Sequence, residues 1–192
     1  MNTATEANRR RGRLQLILLA LVFFGPLAVA IAMYFTGGSG NGDGVNYGSF
    51  LEPPVSVEAK LHFDSGLRER WTLIVKPGGD CDDNCERALI DVRQIRLATG
   101  REIDRIERAL LLPAGVDLSA GTAAAHPGLV VLQPGPDKPS ATAMTTALAT
   151  LPAGQIYIMD PIGNVILSYP MAPERKRLLG DLKKLLKLSR IG

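Results

Sequence analysis

Cys81 and Cys85 are the only cysteines among 192 residues, and they stand four apart directly after an apolar run. With two cysteines there is no larger disulfide framework to which the spacing could belong. The pair falls where a strand would hand over to a helix. Residues i and i+4 of a helix share a face, so both sulfurs can converge on one point. Two thiolates there suit Cu(I), a soft ion that two sulfurs can hold. The same pair can cycle between dithiol and disulfide. A helix N-terminus favours thiolates through its dipole and unpaired N–H groups. Asp80, Asp82, Asp83 and Glu86 oppose that effect, and such an acidic rim can instead attract cations. Three intervening residues, rather than the two of the usual oxidoreductase motif, argue against general disulfide isomerisation and leave a narrower reductive role on a partner's metal-site cysteines. The third option is a structural staple, which over so short a loop contributes least. Copper handling, redox work and a staple all stay open on the residues alone.

The elements that must position this pair are legible on either side of it. Glu69 to Val75 reads as a strand whose continuous apolar end suits the centre of a mixed sheet. Lys76 to Asp80 is a loop, and Leu89, Val92, Ile95 and Leu97 recur at near-helical spacing from Cys85 to about Thr99. Val55 to His62 reads as an earlier strand, with a turn at Asp64-Ser65-Gly66. Glu102 to Leu112 is a helix or a helix-to-strand passage, Leu129 to Leu132 a short buried strand, and Ala141 to Leu151 a helix. Gln155 to Met159 and Asn164 to Tyr169 form strands joined by Asp160-Pro161-Ile162-Gly163, a hairpin signal. Glu174 to Leu188 is a final amphipathic helix. Alternation of this kind predicts an α/β fold, a mixed sheet flanked by helices, compatible with a thioredoxin-like domain.

Ahead of this domain, Leu14 to Phe35 carries no charge and is long enough to cross a bilayer, for which ~20 apolar residues suffice. Gly25-Pro26 within it predicts a kink of the sort membrane helices tolerate. Arg9, Arg10, Arg11 and Arg13 precede it, which places the N-terminus in the cytoplasm and the rest in a bacterial periplasm. A cleaved signal peptide is the competing reading, with Ala28-Val29-Ala30 and Ala30-Ile31-Ala32 as small-residue sites. The apolar run exceeds the ~7–15 residues of a usual signal core, so an uncleaved inner-membrane anchor is the expectation. The organisation is thus a basic N-terminus at 1–13, a transmembrane helix at 14–35, a Gly-rich linker at 36–54 and a periplasmic domain at 55–192.

Charge excludes one class of partner. Residues 1–35 carry a net +3 and residues 174–192 a net +5, which against the total of +3 leaves −5 for residues 36–173. An acidic body with basic ends is not a nucleic-acid-binding domain.

The segment from Trp71 to Cys85 resembles the Sco/SenC family of membrane-anchored, thioredoxin-like copper and redox proteins of cytochrome c oxidase assembly. In that family a strand Trp lies ten residues before Cys-Pro-Asp-x-Cys. Here Trp71 lies ten before Cys81-Asp82-Asp83-Asn84-Cys85, with Asp83 matching the central Asp and Asp82 in place of Pro. Tyr157-Ile158-Met159-Asp160-Pro161-Ile162-Gly163 is similar to the family's hairpin, and Asn46-Tyr47-Gly48 to its entry segment. The resemblance implies a role in haem-copper oxidase assembly, with oxidase subunits or assembly factors as partners and copper held by Cys81 and Cys85. The family's third ligand, a His, has no counterpart: Leu151-Pro152-Ala153-Gly154 occupies its place. A scaffold factor that keeps the fold without metal binding is the alternative.

Other residues are weaker candidates. His126 follows Ala123-Ala124-Ala125 and reads as a surface loop histidine, and His62 as a half-buried strand residue. Met144, Met159 and Met171 could be soft ligands but read as core filler. Pro152 falls where thioredoxin-like folds often carry a cis-proline facing the cysteines. The basic face of the last helix reads as solvated, with contact to a membrane surface as the other option.

Overall fold

A computed structural model describes residues 3–35, 46–57, 67, 69–135, 139–189 and 191. The expectations for His62, for the turn at Asp64-Ser65-Gly66 and for most of the linker lie outside the described residues. Two compact units are present, Met1–Val45 and Asn46–Gly192. The first is a single helix, α1 (Thr3–Phe35), with Pro26 inside it. Its stretch Arg13–Ala32 is long and apolar enough to cross a membrane and is wholly unburied.

In the second unit the elements run β1 (Ser49–Ser56), β2 (Trp71–Lys76), α2 (Asp83–Ala98), a 3-10 turn (Gly100–Arg105), β3 (Ile106–Leu111), α3 (Ala120–Ala125), β4 (Val130–Leu132), α4 (Pro139–Leu148), β5 (Gln155–Met159), β6 (Asn164–Pro170) and α5 (Arg175–Leu188). The six strands form one mixed sheet in the order β1-β6-β5-β2-β3-β4. Central β2 pairs parallel with β3 and antiparallel with β5, and this explains its continuous apolar run. Side chains alternate across it. Leu73 and Val75 join α2 and α5 in one core, with Leu89, Val92, Leu178 and Leu182, while Ile74 joins Leu132, Met144 and Leu148 on the other face. The expected thioredoxin-like α/β class is what the chain adopts.

One local expectation is resolved and two change. The segment 102–112 is the helix-to-strand passage, a 3-10 turn leading into β3, where the apolar Ala109, Leu110 and Leu111 sit between β2 and β4. The first strand starts at Ser49 rather than Val55: Ser49 and Phe50 pair with Ser168 and Leu167 of β6, and pairing resumes at Val55 after an irregularity. Pro53 and Pro54 are tolerated there because β1 is an edge strand. His126 is 5% exposed rather than on the surface. It caps the C-terminal end of α3, a short helix the small residues form after Ser119, whose hydroxyl accepts from the Thr122 N–H.

Gly48, just before β1, sits against Tyr169 of β6, and a Cβ there would lie 2.4 Å from the ring carbon Cζ. That ring is held by its hydroxyl, so it cannot swing aside. Gly48→Ala is expected to lower stability by about 2 kcal/mol or more, read as the urea midpoint.

Candidate functional site

The loop leaving β2 turns through Gly78 and Gly79, and Asp80 accepts from the N–H of Asp82 at 3.0 Å. Asp82 is the N-cap of α2: its carboxylate accepts from the N–H groups of Asn84 (3.1 Å) and Cys85 (2.9 Å). Cys81 therefore lies before the helix and Cys85 in its first turn. The expectation that both sit on one helical face is corrected, because the Asp82 cap ends the helix between them.

The two cysteines are joined as a disulfide with Cα atoms 5.0 Å apart, inside the range such a bridge requires. They differ in surroundings. Cys85 is fully buried in the core with Trp71, Ala88 and Leu89, whereas Cys81 is partly exposed at its edge. A groove of about 510 Å³ is lined by Pro77 to Asp80, Asp82, Asn84, Gly154 and Met171, which include the chain neighbours of Cys81 on both sides but neither cysteine. The acidic rim is partly engaged elsewhere: Asp82 caps the helix, and Glu86 accepts a 2.6 Å hydrogen bond from the Thr122 hydroxyl.

The remaining candidates scatter. Met144 and Met159 are fully buried core residues, while Met171 is half-buried on the groove wall. Pro152 is exposed and its peptide bond is trans; among the described residues the cis bond is Glu52–Pro53. The cis-proline expectation is thereby removed. The turn at Pro152 is closed by other means, since the Pro152 carbonyl accepts from the Tyr157 hydroxyl at 2.6 Å and the Gly154 N–H donates to the Lys76 carbonyl at 2.8 Å. Lys76 completes this corner by donating from Nζ to the carbonyls of Leu148 and Leu151 at the end of α4. Burial lowers the Lys76 pKa and pushes that of Tyr157 up to about 12. Among the described residues no three His, Cys, Asp or Glu side chains come together to hold a metal.

Two features escaped sequence reasoning. The first is a pocket lined by residues of α2 and α3. His126 lines a cavity of about 390 Å³ with Glu86, Arg93 and Thr122, and its Nδ1 is buried without a hydrogen-bond partner. Burial first, then the charges of Arg108 and Arg93, lower the His126 pKa. A base whose folded pKa is depressed stabilises the fold fully above its unfolded value of about 6.5, and that contribution drains away as pH falls below it. The melting temperature is expected to drop between pH 7.5 and 5.5, and His126→Gln to flatten that slope.

The second is Asp181 on α5, fully buried, which accepts from the N–H groups of Tyr47 (2.7 Å) and Gly48 (3.0 Å) and from the Tyr169 hydroxyl (2.7 Å). Burial first, then the Asp181 carboxylate, push the Tyr169 pKa upward. Asp181 lies three residues after Leu178 and four before Leu185, so an acid on the apolar face of the helix was the available signal.

Comparison with known proteins places these features in context. Comparison with curated proteins gives no match. Among solved structures the chain is similar to Bradyrhizobium japonicum ScoI with copper bound, at 19% identity over 71% of this chain and 98% of that one, with a TM-score of 0.45. It is similar also to Arabidopsis thaliana ScoI with copper bound, at 14% identity over 66% and 89%, TM-score 0.46, and to yeast Sco1 with copper bound, at 15% over 73% and 92%, TM-score 0.47. Residues 6–37 match the profile of a transmembrane-like N-terminal domain. Residues 71–189, which hold the disulfide, five of the six strands and all of α5, match that of a transmembrane-like, thioredoxin-like C-terminal domain, and the chain belongs to this family.

Proposed function

We propose that this protein is a membrane-anchored accessory factor of haem-copper oxidase assembly, its domain in the bacterial periplasm, that uses Cys81 and Cys85 for thiol–disulfide exchange with a partner and for handling Cu(I) as cargo. The observation that carries the reading is the asymmetry of the bridge: Cys81 is partly exposed at the edge of the core and Cys85 is fully buried within it. An exposed sulfur can be attacked or can attack, while a buried neighbour resolves the intermediate.

In the reductive direction the Cys81 thiolate attacks one sulfur of a partner disulfide, and the partner's other sulfur leaves as a thiolate. The Cys85 thiolate then attacks Cys81 of the mixed disulfide, which frees the partner as a dithiol and closes Cys81–Cys85. Two electrons pass to the partner, and a dithiol donor must restore the pair. In the reduced state the two sulfurs are the soft donors that suit Cu(I), a two-coordinate site lacking the His of the Sco/SenC pattern. Assembly of an oxidase and the oxidase subunits or assembly factors as partners follow from the resemblance of the Trp71-to-Cys85 segment. The periplasmic orientation follows from the Arg cluster before the span.

The absence of a three-ligand cluster among the described residues favours a second reading, a scaffold that retains the fold without metal binding. Complementation of a deletion strain with the double variant Cys81→Ser, Cys85→Ser separates them, read as oxidase activity at limiting copper. Loss of activity supports thiol or copper chemistry. Full activity sinks it and leaves the scaffold.

A further inference from the structure

The last helix carries a surface that neither the disulfide nor the core explains. Lys176, Lys183 and Lys187 recur at i, i+7 and i+11 and are exposed, which places them in one stripe. Arg177 and Lys184 flank that stripe, and both stand over the ring of Tyr47, at 5.1 and 5.4 Å from its centroid. Glu174 pairs with Arg177, and the buried Asp181 pairs with Lys184 at 3.4 Å. Five cations thus share one face, two of them paired with acids and three, Lys176, Lys183 and Lys187, along its exposed stripe. Arg175 is turned away to Asp91. Apolar side chains belong to it as well: Leu188, in the last turn of α5, is 83% exposed, and Tyr47 itself is 63% exposed.

Cations interleaved with an exposed tyrosine and an exposed aliphatic side chain are the composition of surfaces that lie at a lipid headgroup layer. Tyr47 adds a second argument. Its backbone N–H is bonded to Asp181 of the same helix, so the start of the domain is pinned to α5. Ten residues, 36–45, separate α1 from Asn46, and ten residues reach at most about 36 Å in any conformation. A bilayer holding the apolar span is therefore covalently tied to the chain, within the range where a weak electrostatic attraction acts at high effective concentration.

We propose that the Lys176/Lys183/Lys187 face of α5, with Arg177, Lys184 and Tyr47, docks on anionic lipid headgroups of the membrane that anchors the chain. The interaction uses no cysteine and stands apart from the chemistry of the bridge.

The test uses the full chain in nanodiscs, either purely phosphatidylcholine or with about a third phosphatidylglycerol. Lysines are acetylated with a succinimidyl ester and quantified by mass spectrometry, with the lysines of an added soluble peptide as internal references. The expected result is at least about threefold slower labelling of Lys176, Lys183, Lys184 and Lys187 in the anionic discs relative to the references, reversed by 0.5 M salt. The double variant Lys183→Glu, Lys187→Glu changes exposed side chains and leaves the fold intact. It is expected to return Lys176 and Lys184 to their zwitterionic rates. Equal labelling in the two lipids overturns the proposal, as does slowing shared by the reference lysines or slowing that survives the charge reversal. An acidic protein as the true occupant would appear as the first of these outcomes.

Discussion

Cys81→Ser is expected to abolish thiol–disulfide exchange, by at least about 100-fold, and to remove Cu(I) binding, while the domain remains folded. The bridge closes a loop of only about five residues, and chain entropy assigns such a loop about 2 kcal/mol, near the low end for a disulfide. The core beneath it does not depend on the bond, since Cys85 still packs with Trp71, Ala88 and Leu89. Cys85→Ser should behave differently. It leaves the exposed sulfur without its resolving partner, so the mixed disulfide formed when the Cys81 thiolate attacks a substrate disulfide, releasing the other substrate sulfur as a thiolate, should accumulate. It also puts a hydroxyl into a fully buried apolar position, which adds about 1–3 kcal/mol of instability. Equilibration with glutathione redox buffers and competition with a chromophoric Cu(I) chelator read the first effect, and urea unfolding reads the second. Exchange persisting in both variants would remove the pair from the mechanism.

The largest stability effect is expected at Asp181. Asp181→Ala removes the acceptor of three hydrogen bonds, from the N–H groups of Tyr47 and Gly48 and from the buried Tyr169 hydroxyl, and with it the ion-pair partner of Lys184. Hydrogen bonds to a charged acceptor are worth about 1.5–3 kcal/mol each, so losing this set together is expected to cost about 3–5 kcal/mol. Tyr169→Phe removes a single donor and is expected to cost about 1–2 kcal/mol, and Asp181→Asn to fall between the two. The comparison by urea midpoint is informative beyond rank order. If Asp181→Ala were no worse than Tyr169→Phe, the carboxylate would not be holding the Tyr47–Gly48 segment, and Gly48→Ala would lose its rigid obstacle as well.

Asp181 also shows where sequence reasoning stops. Its position on an apolar helical face was readable, but its partners were not, because they lie 133 and 134 residues away for Gly48 and Tyr47. The cysteine pair is similar. Residue type, spacing and position after a strand indicated where sulfur chemistry could occur, and Trp71 ten residues earlier supplied a family resemblance. The Asp82 cap, which puts Cys81 outside the helix, lay within local reach, since Asp followed by a helical run is an N-cap signal. The unequal burial of the two sulfurs was not within reach, because it depends on β2, β3 and α5 packing against the helix that carries Cys85.

What local chemistry along the chain decides is substantial. An uncharged run preceded by arginines makes a span-length helix; alternating apolar runs and turn residues make the strand and helix order; and Asp160 to Gly163 makes a hairpin, closed by Asp160 accepting from the N–H groups of Ile162 and Asn164 with Gly163 at a positive φ of 98°. These are contacts between near neighbours, so residue type suffices. Tertiary structure alone settles the edge strand from Ser49, which exists by pairing with β6, and the burial of His126, which a run of alanines gave no reason to expect. It also settles the seam of Tyr47, Gly48, Tyr169 and Asp181. For the cysteines the division is the same: their spacing made a bridge or a metal site possible, and the burial of one sulfur beside the partial exposure of the other, set by long-range packing, decides which atom meets a partner.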